Sequence, residues 1–122
     1  MKEFRFLTPV ELLELLRKQQ QIKGLSSTDY RLSKILGMSP QGLAHTLHGK
    51  GSLSDENAIK LADELILPRS YVVACMARFR SKNPEVIEMW EDIAEKAFKN
   101  IAFVVLGFGL HYVSFLNFLP FN

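Results

Sequence analysis

The sequence has little of what marks a secreted, metal-binding or fibrous protein. Its 122 residues include one cysteine, which excludes an internal disulfide framework and a zinc site built on cysteines, so a reducing compartment is expected. Glycine and proline are scarce, at seven and five residues, and the sequence contains neither an internal repeat nor a low-complexity tract. Because 48% of the residues are hydrophobic, we expect one folded domain with a core rather than disorder.

Charge is absent from one long stretch. Residues 100–122 carry no charged side chain and contain five of the nine phenylalanines. Residues 1–82 carry 13 basic and eight acidic side chains, a net charge of +5, and residues 83–99 carry two and five, a net charge of −3. We therefore expect a basic domain over 1–82, an acidic amphipathic helix over 83–99 and an apolar tail over 100–122. Since Met1–Phe4 shows no basic stretch followed by an apolar run, no secretory signal peptide is expected.

Strand signals are nearly absent, whereas helix-capping signals recur along the chain. Thr8-Pro9-Val10-Glu11 is a capping box with proline at the first helical position, and it predicts a helix from Pro9 to about Gln21. Similar signals predict five more helices: one capped within Ser26–Asp29 and stopped by Gly37, one from Ser39-Pro40 to about Leu47, one capped by Ser54-Asp55-Glu56 and closed by Pro68, one from Arg69 to about Ser81, and one capped by Asn83-Pro84-Glu85. The sequence therefore predicts an all-α fold.

The segment DYRLSKILGMSPQGLAHTLH, residues 29–48, consists of a short predicted helix, a tight glycine turn and a second short helix. Gly37 suits the left-handed backbone of such a turn. This geometry is typical of a helix-turn-helix, whose second helix enters the DNA major groove. An ordinary helical hairpin in a small bundle is the alternative. Gly42 inside the second helix costs about 1 kcal/mol relative to alanine, and Thr46 stands where an apolar residue would close the core.

The longer segment DYRLSKILGMSPQGLAHTLHGKGSLSDENAIKLADELILPRSYVVACMAR resembles the lambda-repressor-like fold. More closely, it resembles a family of uncharacterised phage-related proteins from filamentous bacteriophages and prophages. The most specific matches are LSDE at Leu53–Glu56, AIKLAD at Ala58–Asp63 and YVVACM at Tyr71–Met76, within a resemblance that covers roughly Leu12 to Ala94. Family members often have an arginine and a tryptophan where this sequence has Pro40 and Thr46.

The resemblance implies a lambda-repressor-like domain of five helices containing a helix-turn-helix, followed by a sixth helix and an apolar C-terminal helix. It also implies a regulator that binds double-stranded DNA, such as a phage or prophage repressor. The groove-facing positions of such a motif are Ser39, Pro40, Gln41, Ala44, His45 and His48.

Among the groove-facing residues, Gln41 can pair bidentately with adenine and Ala44 can touch a thymine methyl group. The expected base-reading residues are Ser39, Gln41, Ala44 and His45, and the expected contacts to the DNA backbone are Arg31, Lys34, His48 and Lys50. Since only Gln41 is built for bidentate reading, one module should bind weakly, and a homodimer on paired half-sites is expected.

The dimer contact is expected on the fifth and sixth helices, where aromatic residues and methionine are candidate anchors: Tyr71, Met76, Phe79 and Trp90. The alternative is that these four side chains complete the core of the monomer. A different function on the same scaffold also stays open, namely a membrane-tethered or oligomeric protein-interaction module that lacks specific DNA binding.

The sequence offers no convincing catalytic site. His45 and His48 stand three positions apart on a predicted helix, but no Cys, Asp or Glu joins them locally, so we expect neither a metal site nor a cofactor. Cys75 is expected to be a small buried core residue rather than a nucleophile. Because phosphate-binding glycine loops and acid–base pairs are also missing from the sequence, an enzyme is not expected.

The uncharged run from Ile101 to Leu119 has 19 residues, about 28 Å as a helix. That length approaches the roughly 30 Å hydrocarbon core of a bilayer. Lys96 and Lys99 precede the run, so insertion would leave the DNA-binding domain in the bacterial cytoplasm, at the inner membrane. The alternative is a helix buried in an oligomer or folded back on the domain, where His111 and Asn117 find polar partners.

Overall fold

The computed structural model describes residues 6–108, with side chains described for residues 6–99, and this part of the chain contains six α-helices and no strand. The helices are α1 (Pro9–Ile22), α2 (Asp29–Leu36), α3 (Pro40–Leu47), α4 (Asp55–Leu65), α5 (Arg69–Arg80) and α6 (Pro84–Phe108). The predicted all-α fold is thereby confirmed.

Local capping explains why α1 begins where it does. The Thr8 Oγ1 accepts a hydrogen bond from the Glu11 backbone N–H at 3.2 Å, and the Thr8 N–H donates to the Glu11 carboxylate at 3.0 Å. Leu7 and Leu12 are both buried on either side of this capping box, as a hydrophobic staple requires. The start of α1 was therefore predictable from four consecutive residues.

The end of α4 differs from the prediction. The helix ends at Leu65 rather than at Pro68, because Ile66 adopts a left-handed conformation with φ 57° and ψ 44°. The Leu67 N–H then donates to the carbonyl of Ala62 at 2.9 Å, which satisfies a terminal carbonyl of the helix. A β-branched residue is unfavourable in this conformation, so it could not be predicted from the residue type at position 66.

One hydrophobic core joins all six helices. The sixth helix packs along α5, where Ala94 and Ala97 are buried and the Phe98 ring lies against the Tyr71 ring at a centroid distance of 5.5 Å. Small alanine side chains allow the two helices to approach closely. Three acidic residues of α6, Glu85, Glu88 and Asp92, are exposed to solvent, and Glu95 is half-buried. Glu91 is also half-buried, and its carboxylate accepts a hydrogen bond from the Arg78 Nε of α5 at 2.7 Å.

Two of the four expected dimer anchors are core residues. Tyr71 and Met76 are completely buried within a single chain, so the prediction that they anchor a dimer is wrong. Trp90 is half-buried and packs against the core, and Phe79 is partly exposed. Cys75 is also buried, as predicted, and burial raises the pKa of its thiol to about 11.

The expected apolar C-terminal helix falls largely outside the described residues. The sixth helix reaches Phe108, and the rest of the candidate membrane segment, residues 109–119, is not described. Among residues 6–108, no helix combines the length and the apolar character that a bilayer crossing requires.

Candidate nucleic-acid interface

A three-residue turn joins α2 to α3. Gly37 ends α2 in the left-handed conformation, with φ 68°, and the Met38 N–H donates to the carbonyl of Ser33 at 2.9 Å. Ser39 then caps α3, since its Oγ accepts from the Gly42 N–H at 3.0 Å, and Pro40 occupies the first helical position. The end of α2 and the start of α3 therefore lie where the sequence predicts them.

Buried side chains fix α2 and α3 to each other and to the domain. Leu32, Leu36 and Leu43 are completely buried. Ser33 is also buried, and its hydroxyl donates to the carbonyl of Tyr30 at 2.7 Å, so the polar group is satisfied within its own helix. The orientation of α3 is therefore set by the core, as a reading helix requires.

The exposed face of α3 carries most of the predicted base-reading residues. Gln41, His45 and His48 are exposed and Ala44 is half-buried, whereas Leu43 and Thr46 are buried. At 100° per residue, the four outward residues fall within one face of the helix, opposite the buried pair. Ser39 is exposed as well, but its oxygen already serves as the cap, which leaves its hydroxyl hydrogen for a phosphate or a base.

Two glycines shape this surface. A Cβ added to Gly42 would lie 3.1 Å from the Ser39 Oγ, so a glycine inside α3 keeps the cap uncrowded. A Cβ added to Gly51 would lie 2.9 Å from the His45 Cδ2, which places the His45 ring directly on the backbone of the loop after α3. Among the described residues, no group of His, Cys, Asp and Glu side chains is arranged to hold a metal ion.

Among residues 6–99, whose side chains the structure describes, no carboxylate pairs with the cations around this surface. Arg31, Lys34 and Lys50 are the only charged residues between positions 30 and 54, and all three are exposed. Lys34 places its Nζ 5.2 Å from the ring centre of the exposed Tyr30. By contrast, six cations elsewhere among the described residues form ion pairs with Asp or Glu: Arg17, Arg69, Arg78, Arg80, Lys96 and Lys99.

One further cation lies beside the turn. The Lys60 Nζ, on α4, would be 2.6 Å from a Cβ placed on Gly37, so the ammonium group lies over the glycine backbone. Sequence reasoning missed Lys60 because only the packing of α4 against α2 brings it to this position. The stretch from position 30 to position 54 contains no Asp or Glu, however, and this is a sequence signal for the cationic surface around α2 and α3.

Comparison of the chain with protein-family models, with curated proteins and with solved structures gave no match.

Proposed function

We propose that this protein is a sequence-specific regulator of transcription that binds double-stranded DNA through α2 and α3. The arrangement of its helices is proposed to be lambda-repressor-like, and its role that of a phage or prophage repressor acting as a homodimer. The observation that carries the proposal is the outward face of α3, where Gln41, His45 and His48 are exposed and Ala44 is half-buried beside them.

The chemistry of this face suits a major groove. A glutamine amide can pair with the N6 and N7 of adenine, and the small Ala44 can approach a thymine methyl group. The exposed cations Arg31, Lys34 and Lys50 supply contacts to phosphates, which give affinity and register but no sequence choice. His48 adds a polar contact at the end of α3.

The number of base-reading side chains argues for two modules. One bidentate side chain contributes about 1–3 kcal/mol of discrimination. Specific complexes are typically about 4–10 kcal/mol tighter than nonspecific ones. A dimer on paired half-sites makes twice as many base contacts, which brings the free-energy difference between specific and nonspecific binding into that range.

Titration of the full chain onto labelled DNA tests the proposal. The duplexes are the region upstream of its own gene and a shuffled duplex of the same composition, at several salt concentrations between about 50 and 200 mM. We expect binding to both duplexes to weaken as salt rises and the upstream region to keep a preference of at least about a thousandfold. Equal affinity for the two duplexes, or no binding to either, contradicts the proposal.

A second candidate function is a protein-interaction module tethered to a membrane or held in an oligomer. It is favoured by Met89 and Ile93, two apolar residues of α6 that are exposed, and by the lack of charge in residues 100–122. Cell fractionation of the full chain and of a chain cut after Lys99 distinguishes the two kinds of tether. If both chains are soluble without detergent, the tail makes a protein contact; if only the cut chain is soluble, the tail enters the membrane.

A further inference from the structure

The sixth helix carries an exposed apolar surface that the rest of the described domain leaves uncovered. Met89 and Ile93 stand one helical turn apart and are 63% and 40% exposed. Met89 lies on the side of α6 away from the buried Ala94, and Ile93, four positions before the buried Ala97, lies at the border between that side and the side packed on the core. Methionine is one of the residue types enriched at contacts between protein chains, so this pair of side chains is a candidate centre for such a contact.

A negative charge borders this apolar surface towards the beginning of α6, and a positive charge borders it towards the end of the described side chains. Glu85, Asp92 and Lys99 recur every seven residues, so they line the same edge of the helix beside Met89 and Ile93. Glu85 stands at the beginning of this edge, and Lys99 stands about four helical turns later. We name Glu85, Met89, Asp92, Ile93 and Lys99 together the α6 strip.

We propose that two copies of this chain associate through the α6 strip in antiparallel orientation. A two-fold antiparallel pair places Met89 of each copy beside Ile93 of the other and Glu85 of each copy beside Lys99 of the other. A parallel pair would instead place like charges together. This pairing supplies the dimer of the proposed function and rests on that function for its role in the cell.

Contacts within α6 are compatible with this pairing. The two copies of Asp92 meet at the centre of the pair, and each carboxylate has the Lys96 Nζ of its own helix 3.0 Å away, so a cation accompanies each of the two like charges. Lys99 lies 3.6 Å from Glu95 in a largely exposed pair. Such pairs contribute little to stability, so Lys99 can exchange this partner for Glu85 of the second copy.

Charge reversal on the full chain, without DNA, tests the pairing. Sedimentation equilibrium at micromolar concentration should show the unchanged chain of 13.9 kDa in a monomer–dimer equilibrium. Glu85→Lys and Lys99→Glu should each weaken self-association at least tenfold, because each creates two like-charge contacts. Lys18→Glu, an exposed reversal on α1, should leave association unchanged.

The decisive measurement is the association of an equimolar mixture of the Glu85→Lys and Lys99→Glu chains. In the mixed pair both end contacts again join opposite charges, so association should return to within about threefold of the unchanged chain. A loss caused by helix destabilisation would not be recovered by mixing. The pairing is overturned by an unchanged chain that stays monomeric, by single reversals without effect, or by a mixture that does not recover.

Self-association through the α6 strip can be measured separately from DNA binding. Gln41→Ala should leave self-association unchanged, since Gln41 lies on α3 and outside the α6 strip. If the unchanged chain dimerises through the strip but binds DNA without sequence preference, the pairing stands and the proposed function fails. If the unchanged chain prefers its own upstream DNA but remains monomeric, the proposed function stands and the pairing fails.

Discussion

The Thr46 hydroxyl donates a hydrogen bond to the carbonyl oxygen of Gly42, 3.1 Å away and one turn earlier in α3. Thr46 is buried at a position where the sequence led us to expect an apolar residue. The hydrogen bond explains how a polar side chain is accommodated there, because the donor is satisfied within its own helix. The methyl group of the same side chain remains available to pack in the core.

Thr46→Val should therefore change the free energy of unfolding by less than about 1 kcal/mol, since the Gly42 carbonyl keeps its helical partner when the hydroxyl is removed. Thr46→Ser should lower that free energy by about 1 kcal/mol, because it deletes a buried methyl group and keeps the hydroxyl. Urea unfolding of both variants measures the difference. A Thr46→Val chain that loses more stability than Thr46→Ser would show that the hydroxyl, rather than the methyl group, determines this position.

The left-handed conformation of Gly37 gives a second prediction. Gly37→Ala should cost about 1–2 kcal/mol of unfolding free energy, because φ is 68° and a Cβ is unfavourable there. Gly24→Ala is the matched control, with φ 73° and open space around it. We expect nearly equal losses, since the Lys60 ammonium at Gly37 is the end of a flexible side chain. A much larger loss at Gly37 that Lys60→Ala removes would show instead that Lys60 is held rigidly.

Replacement of the proposed base-reading glutamine should remove sequence preference. Gln41→Ala should cost about 1–3 kcal/mol of binding free energy on the cognate duplex and little on shuffled DNA. Gln21→Ala, an exposed glutamine at the end of α1, is the matched control and should affect neither duplex. Equal losses on both duplexes would reassign Gln41 to a phosphate contact.

Lys50 should behave differently, as a contact to the DNA backbone. Lys50→Ala should weaken binding to cognate and shuffled duplexes alike, and the dependence of log affinity on log salt should decrease by about one. Lys96→Ala removes a lysine that pairs with Asp92 on α6 and serves as the control. A loss confined to the cognate duplex would mean that Lys50 reads bases.

Stability should fall in alkaline solution because of two buried groups. Burial raises the pKa of Cys75 from 9.0 to about 11, and it also raises the pKa of Tyr71. Both side chains stay neutral in the folded protein, so the unfolded chain loses their protons at lower pH. The stabilisation is therefore complete below pH 9 and is lost as the pH rises through about 11.

Urea unfolding at several pH values between 8 and 11 measures this loss. Cys75→Ala should give a shallower decline than the unchanged chain, whatever its stability at pH 8, because one of the two groups is gone. An identical slope for the two chains would show that Cys75 does not contribute to the alkaline loss.

Local signals in the sequence determined where most helices begin. The capping box at Thr8 and the Ser39-Pro40 start of α3 involve residues within three positions of each other, so their hydrogen bonds form whatever surrounds them. The same holds for Gly37, whose missing Cβ permits the left-handed turn before any tertiary contact exists. These features defined the candidate helix-turn-helix from local signals, whereas its groove-facing residues were implied by the family resemblance.

Only tertiary structure decided which apolar residues lie inside. Tyr71 and Met89 are both large side chains on helices, yet Tyr71 is buried against α6 while Met89 is exposed. Periodicity gives the faces of a helix but does not say which face meets a neighbour, because that depends on how α5 and α6 cross. The position of Lys60 over Gly37 arises in the same way, from the packing of α4 against α2, which no local pattern encodes.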